Sequence, residues 1–256
     1  TRKVIVTSAG EKLLPYAKAT LEAADTFLAH ARGANGTLAG PLTIGVIPTV
    51  APYILPDLLS MLAEAYPDLE PRFVEEQTQH LITRLRSGNL DLAIMALPSE
   101  ATGMVDSPLY TEKFSIVCPP DHPIAGREDV QLSKLKDLDL LLLDDGHCLR
   151  DQIVDLCRHA DVNPAEATNS VTRASSLTTI MQLVMGGLGC TLVPESALAT
   201  ECHGKDVAIA HFASDVTAER EVGLVFRSSA ARSEEFTEFG KLITSAYNQA
   251  VERSRK

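Results

Sequence analysis

Cys148 and Cys157 stand at the two ends of the segment Gly146-His147-Cys148-Leu149-Arg150-Asp151-Gln152-Ile153-Val154-Asp155-Leu156-Cys157, which follows an acidic turn at Asp144-Asp145 and reads as one short helix. A separation of nine residues is about two and a half helical turns, which sets the sulfurs on opposite faces and roughly 13 Å apart along the axis. A disulfide needs Cα atoms within about 7 Å. Either the two thiols are unrelated, or their bonding requires the helix to come apart, as a bistable redox element would require.

Cys148 sits where a helix N-terminus presents its positive end, and Arg150 and His147 lie within two residues of it. All three features favour a thiolate, the form that attacks peroxide, while Asp144, Asp145 and Asp151 oppose it. Sulfenic acid is the first product of such an attack, and it condenses with a second thiol to give a disulfide. The plainer alternative is that both cysteines are small buried hydrophobes. Zinc is disfavoured although His147, Cys148, Cys157 and His159 cluster in sequence, because the helix separates the two halves and no C-x2-C spacing is present. Of the remaining thiols, Cys118 follows an apolar strand and Cys190 precedes one, so both are expected to be packed. Cys202 lies in the polar run Glu201-Cys202-His203-Gly204 and is expected to be exposed. No cofactor motif stands out. Gly186-Gly187-Leu188-Gly189 lacks the order and the preceding strand of a dinucleotide fingerprint, and there is no G-x-S-x-G nucleophile elbow.

The elements that would position these residues follow from patterning. Residues 42–47, 69–74 and 90–96 read as strands and residues 52–66 and 78–87 as helices, a β-α-β-α-β succession that implies a mainly parallel sheet covered by helices. A second unit follows, with strands at 114–118, 140–143, 167–172 and 190–193, the Cys148 helix, and a helix at 175–185. Residues 221–226 read as a strand leading into a terminal helix over 231–253. Two α/β units imply two Rossmann-like lobes with ligands bound at strand carboxyl ends. Ahead of them, Ser8 and Glu11 offer a capping box, and Leu13, Leu14, Ala17, Leu21, Ala24 and Leu28 recur at helical spacing. That long helix is either packed on the body or a linker, set off by the glycine-bearing stretch 33–40.

Composition bounds the class. The chain has 256 residues, 45% of them hydrophobic, with a formal charge of −11 and five cysteines. This is room for one large or two modest cores. The charge argues against this chain gripping nucleic acid by itself, which needs a basic face. There is no signal-peptide pattern and no apolar run of membrane-spanning length, and the sparse, odd cysteine count fits a reducing, cytoplasmic compartment. A start at Thr1 suggests a fragment.

The string 145–152, Asp-Gly-His-Cys-Leu-Arg-Asp-Gln, with its second cysteine at Cys157, resembles the redox segment of the OxyR-type hydrogen-peroxide sensors among the LysR-type transcriptional regulators. The likeness spans nearly the whole chain. Ile44-Gly45-Val46-Ile47-Pro48-Thr49-Val50, Glu76-Gln77-Thr78, Arg173-Ala174-Ser175-Ser176-Leu177 and Gly187-Leu188-Gly189-Cys190-Thr191-Leu192-Val193-Pro194 fall in that family's order. The first motif is common to LysR-type regulators, and the His-Cys-Leu-Arg-Asp-Gln string is far more specific. The resemblance implies an α/β effector domain of the periplasmic-binding-protein type II kind behind a linker helix at 8–32. Residues 1–7 would be the remnant of a winged helix-turn-helix domain, 40–112 with 220–256 lobe I, and 113–219 lobe II, with chain crossings near Lys113 and Arg220. It implies a regulator and not an enzyme, with Cys148 peroxidatic and Cys157 resolving, and with Thr49, Thr78 and His147 holding hydrogen peroxide. Gln152 is implied as a donor near the leaving oxygen and Arg220 as a charge that stabilises it. By residue type alone, Thr49 and Thr78 could equally cap their helices, and His147 could cap its turn. Implied partners are hydrogen peroxide, further copies of the chain in a homotetramer, DNA through the missing domain, RNA polymerase, and a thioredoxin- or glutaredoxin-type reductant, with no cofactor, metal or membrane. The rivals are a LysR-type regulator binding a small metabolite between the lobes, a thiol peroxidase turning over with a reductant, and a two-lobed periplasmic solute receptor.

Overall fold

In the computed structural model residues 6–31, 38–162, 168–230 and 232–255 are described. The expected wing remnant, the stretch 33–37 and Ala167 therefore lie wholly or largely outside the described residues. The elements run α1 (Ser8–Ala31), β1 (Gly40–Val46), α2 (Ala51–Ala65), β2 (Leu69–Glu75), α3 (Thr78–Arg86), β3 (Leu92–Leu97), β4 (Met104–Cys118), β5 (Leu140–Leu143), α4 (Cys148–His159), β6 (Thr168–Ala174), α5 (Leu177–Met185), β7 (Thr191–Pro194), α6 (Leu198–Cys202), β8 (Ala208–His211), β9 (Glu219–Arg227) and α7 (Ser233–Ser254).

The first β-α-β-α-β run forms parallel ladders, with β1 between β2 and β3. Its apolar residues Leu42, Ile44 and Val46 are buried. Gly45 lets α3 and the β3 approach press close, since a Cβ there would meet Leu81 Cδ2 at 2.7 Å and Leu90 Cδ1 at 2.8 Å. The sheet does not stay parallel. β9 pairs antiparallel with both β3 and β4, because it returns from the far end of the second unit and enters the first in reverse.

β4 begins ten residues before the strand expected at 114 and is one unbroken element of 15 residues. Its first part pairs with β9 from Met104 to Lys113, and its last part, from Phe114, pairs with β7 and β8. One strand thus runs from one hydrophobic cluster to the other. The first cluster gathers side chains from β1, α2, α3, β3, β9 and α7; the second gathers those of late β4, β5, α4, α5 and β7. The short β8 and α6 carried no periodic signal.

At the N-terminus, Thr7 and not Ser8 caps α1, its Oγ1 accepting from Gly10 N at 3.1 Å. The capping-box expectation was one residue late. Leu13, Tyr16, Leu21 and Phe27 of α1 are exposed, and α1 touches the body through Lys18, whose ammonium donates to Ser87 O at 3.3 Å and to Asn89 Oδ1.

Candidate functional site

Helix α4 is placed by its apolar stripe. Leu149, Ile153 and Cys157, at spacings of four, are buried in the second cluster, and Leu156 packs against its edge. This is the helical repeat that buries one face. Cys148 lies off that stripe and packs against the first cluster. The two thiols therefore face different cores, both free, as the nine-residue spacing requires. Burial pushes the Cys157 thiol up, so it is held as the neutral thiol.

Cys148 opens α4 beside a space it shares with Ile47, Pro48, Thr49, Gln77, Thr78, Gly146 and His147. The space measures about 160 Å3 including its part open to solvent, below the roughly 300–1,000 Å3 of a metabolite pocket. Thr49 comes from the β1–α2 turn and Thr78 opens α3. Neither caps its helix, because the caps are Val50 and Gln77. His147 occupies the N-cap position of α4, yet its side chain makes no capping bond. Instead Thr78 Oγ1, His147 Nδ1 and Gln152 Oε1 are buried side-chain atoms without a hydrogen-bond partner. Gln152 is one turn along α4 from Cys148, and its amide carries both the acceptor Oε1 and the donor Nε2. Such orphaned polar atoms cost about 1–3 kcal/mol each if left dry, and two of the three, on Thr78 and His147, belong to residues that line the Cys148 space.

The charge near Cys148 is not the one its sequence neighbours suggested. Arg150 turns away to Asp145, at 2.8 Å, and to Leu143 O, at 3.4 Å. Burial holds the pKa of His147 below its ordinary value, against an opposing effect of Asp144, so its ring stays neutral near pH 7. Arg220 takes over. Burial alone would lower the pKa of its guanidinium, but Glu112 and then Cys148 outweigh it and keep it raised, and its partner Thr49 lines the same space as Cys148. Arg220 Nη1 donates to Thr49 Oγ1 and Nη2 to Thr49 O, both at 2.9 Å. Its Nε donates to Glu112 Oε2 at 2.8 Å, and both side chains are fully buried. Glu112 lies directly opposite Arg220 in the β4–β9 register. Its other oxygen accepts from Ser196 N at 3.0 Å and from Ser196 Oγ.

Glu112, Ser196 and Gln77 had no role assigned from the sequence. Glu112 carried one usable signal, an acid in a strand about to turn apolar. Gln77 Nε2 donates to Asp145 O at 3.4 Å. Gly146 makes that approach possible: it has φ +93°, and a Cβ there would meet Gln77 Oε1 at 2.6 Å. Cys202 corrects an expectation. It ends α6, is 8% exposed, and burial pushes its thiol up to about 12, because α6 turns it inward from what reads as a polar loop.

A family model described as LysR substrate binding domain matches residues 35–248. A "Probable hydrogen peroxide-inducible genes activator" of Mycobacterium leprae is 47% identical over 243 residues, covering 95% of this chain and 77% of that protein. Among solved structures, a cysteine-to-serine mutant of Corynebacterium glutamicum OxyR with H2O2 bound is 62% identical, with a TM-score of 0.87 over 100% of this chain and 79% of that one. The oxidized form of Corynebacterium glutamicum OxyR is 60% identical and covered to the same extents, with a TM-score of 0.77.

Proposed function

This chain belongs to the LysR substrate-binding-domain family, and from that premise we propose that it is the regulatory part of an OxyR-type peroxide sensor, with Cys148 peroxidatic and Cys157 resolving. The observation that carries the reading is that two buried, unpartnered polar atoms, Thr78 Oγ1 and His147 Nδ1, belong to residues lining the same space as Cys148. Hydrogen peroxide is small, uncharged and both donor and acceptor, so it can satisfy hydroxyls and an imidazole nitrogen together. The Thr49 hydroxyl already accepts from Arg220, which leaves its own hydrogen for a ligand.

In the reaction the Cys148 thiolate attacks one peroxide oxygen, the O–O bond breaks, and the departing hydroxide takes a proton to leave as water. Arg220 and the threonine hydroxyls oppose the charge that develops on the leaving oxygen. The Cys157 sulfur then attacks the sulfenic acid, the S–O bond breaks and a second water leaves. Two thiols and one peroxide become one disulfide and two waters, once per chain until a thioredoxin- or glutaredoxin-type dithiol reduces it. Bond formation requires α4 to come apart, since its ends face different cores. Leaving the second cluster costs about 1.5–3 kcal/mol for each of Leu149 and Ile153. The higher TM-score against the peroxide-bound mutant than against the oxidized form supports assigning this conformation to the reduced state.

The same reading makes residues 40–112 with 220–256 one lobe and 113–219 the other, supported by the two hydrophobic clusters. It makes α1 the linker helix, whose exposed Leu13, Tyr16, Leu21 and Phe27 suit pairing with another copy in a homotetramer. With a charge of −11, operator contacts fall to other parts of the assembly in the cytoplasm. The test is thiol titration with peptide mass mapping after one equivalent of peroxide. A Cys148–Cys157 link in wild type is expected, with loss of the fast stopped-flow phase in Cys148→Ser. A Cys148→Ser chain that reacts at the wild-type rate overturns the assignment.

A further inference from the structure

Cys118 and Cys190 are used by none of the chemistry above, and the fold sets them face to face. β4 and β7 run antiparallel with Phe114 opposite Pro194 and Val117 opposite Thr191. Continuing that register by one residue puts Cys118 opposite Cys190. Antiparallel partners have Cα atoms about 4.5–5.5 Å apart, inside the range a disulfide spans. The contrast with Cys148 and Cys157 is geometric: that pair must unfold a helix to bond, and this pair lies one register step beyond the β4–β7 ladder.

The chemistry of the two thiols is also divided. Each thiol acts on the other: Cys190 lowers the pKa of Cys118, and Cys118, with burial, raises that of Cys190, so Cys118 takes the nucleophile's part and Cys190 the proton donor's. In the resting dithiol Cys118 Sγ donates its proton to Ala208 O, at 3.7 Å, and it gives up that proton as it attacks. Both are closed to solvent, at 0% and 1% exposure, and lie at strand ends. Cys118 is the last residue of β4, and the turn that follows it exposes Pro120, Asp121 and Pro123.

We propose that Cys118 and Cys190 are a second redox dithiol of the chain, closing to an intramolecular disulfide when hydrogen peroxide exceeds what Cys148 consumes. Cys118 sulfur attacks one peroxide oxygen and hydroxide leaves, taking up a proton to become water. Cys190 sulfur then displaces the sulfenic oxygen, which leaves with the Cys190 proton as a second water. Burial makes this step slower than that of Cys148. Because the two residues lie at adjoining ends of paired strands, closure pins the end of β4 to the start of β7, while the segment 146–159 is free to rearrange.

The test isolates the pair from the sensor chemistry. The triple variant Cys148→Ser/Cys157→Ser/Cys202→Ser is titrated with increasing hydrogen peroxide, denatured, alkylated and weighed intact, then mapped. The expected result is a species lighter by about 2 Da than the reduced chain, with neither thiol alkylated and one peptide pair joined through Cys118 and Cys190. Its melting temperature rises by on the order of 5 °C, as a cross-link over a long loop predicts. Wild-type chain mapped after excess peroxide should carry the same link beside Cys148–Cys157, which keeps the test decisive if the triple variant folds poorly. Full alkylation of Cys118 and Cys190 after excess peroxide in both proteins, or oxidation of Cys118 to the sulfinic acid with Cys190 still free, overturns the proposal and leaves the Cys148 reading untouched.

Discussion

Removing the Arg220 guanidinium by Arg220→Met is expected to have two separable effects. Glu112 would lose its salt bridge, 2.7 Å in a site where both side chains are fully buried, and keep only the Ser196 amide and hydroxyl. Breaking a buried pair from one side costs about 3–5 kcal/mol, because a charge remains without its counter-charge. With a urea m-value near the upper end of its usual range, about 3 kcal/mol/M, the unfolding midpoint should fall by about 1–2 M. Glu112→Gln should also destabilise, and the double variant Glu112→Gln/Arg220→Met should cost less than the two singles together by about 2 kcal/mol, since no buried charge is then stranded. Stability and reactivity should part in that double variant. It regains stability, yet Thr49 has lost both Arg220 bonds and Cys148 its nearby cation, so stopped-flow oxidation should stay slower than wild type by about 100-fold. Singles that each cost under about 1 kcal/mol would mean the pair behaves as a solvated one, against its burial. A double variant that oxidises at the wild-type rate would remove Arg220 from the reaction.

Hydrogen exchange across residues 146–159 should rise on formation of the Cys148–Cys157 bond more than elsewhere, because the short α4 depends on Leu149, Ile153 and Cys157 being packed and has little helical stability of its own; quantitative bond formation with an unchanged exchange pattern would refute the geometric argument. Thr49→Val keeps shape and removes the hydroxyl that Arg220 orients, so peroxide oxidation should slow by about tenfold or more with the fold intact, and an unaltered rate would reduce Thr49 to a packing residue. The pKa of His147 is lowered in the folded chain by burial, so as pH falls through its ordinary value the unfolded chain binds the proton first and stability drops until the folded pKa is passed. His147→Asn should therefore flatten the fall in unfolding midpoint between about pH 7 and 5.5, and an identical slope in both proteins would contradict the burial.

The sequence by itself determined the features that depend on neighbours in the chain. The apolar repeat of Leu149, Ile153 and Cys157 made α4 and turned Cys148 away from Cys157, and the alternating runs of β1, α2, β2, α3 and β3 were readable because each buries a face at its own period. Thr49, Thr78 and His147 were placed together only through a resemblance, since no spacing connects residues that far apart. The tertiary structure decided what lies beyond local period. Arg220 meets Thr49 across 171 positions and Glu112 across 108, and such bonds are fixed by the β4–β9 register and by the reversal of β9. The same ordering displaced the apparent role of Arg150, buried Cys202 in spite of its polar neighbours, and set Cys118 against Cys190. In each case the local string records a residue's type, while its partner, its solvent and hence its charge state are set by strands brought alongside it from elsewhere in the chain.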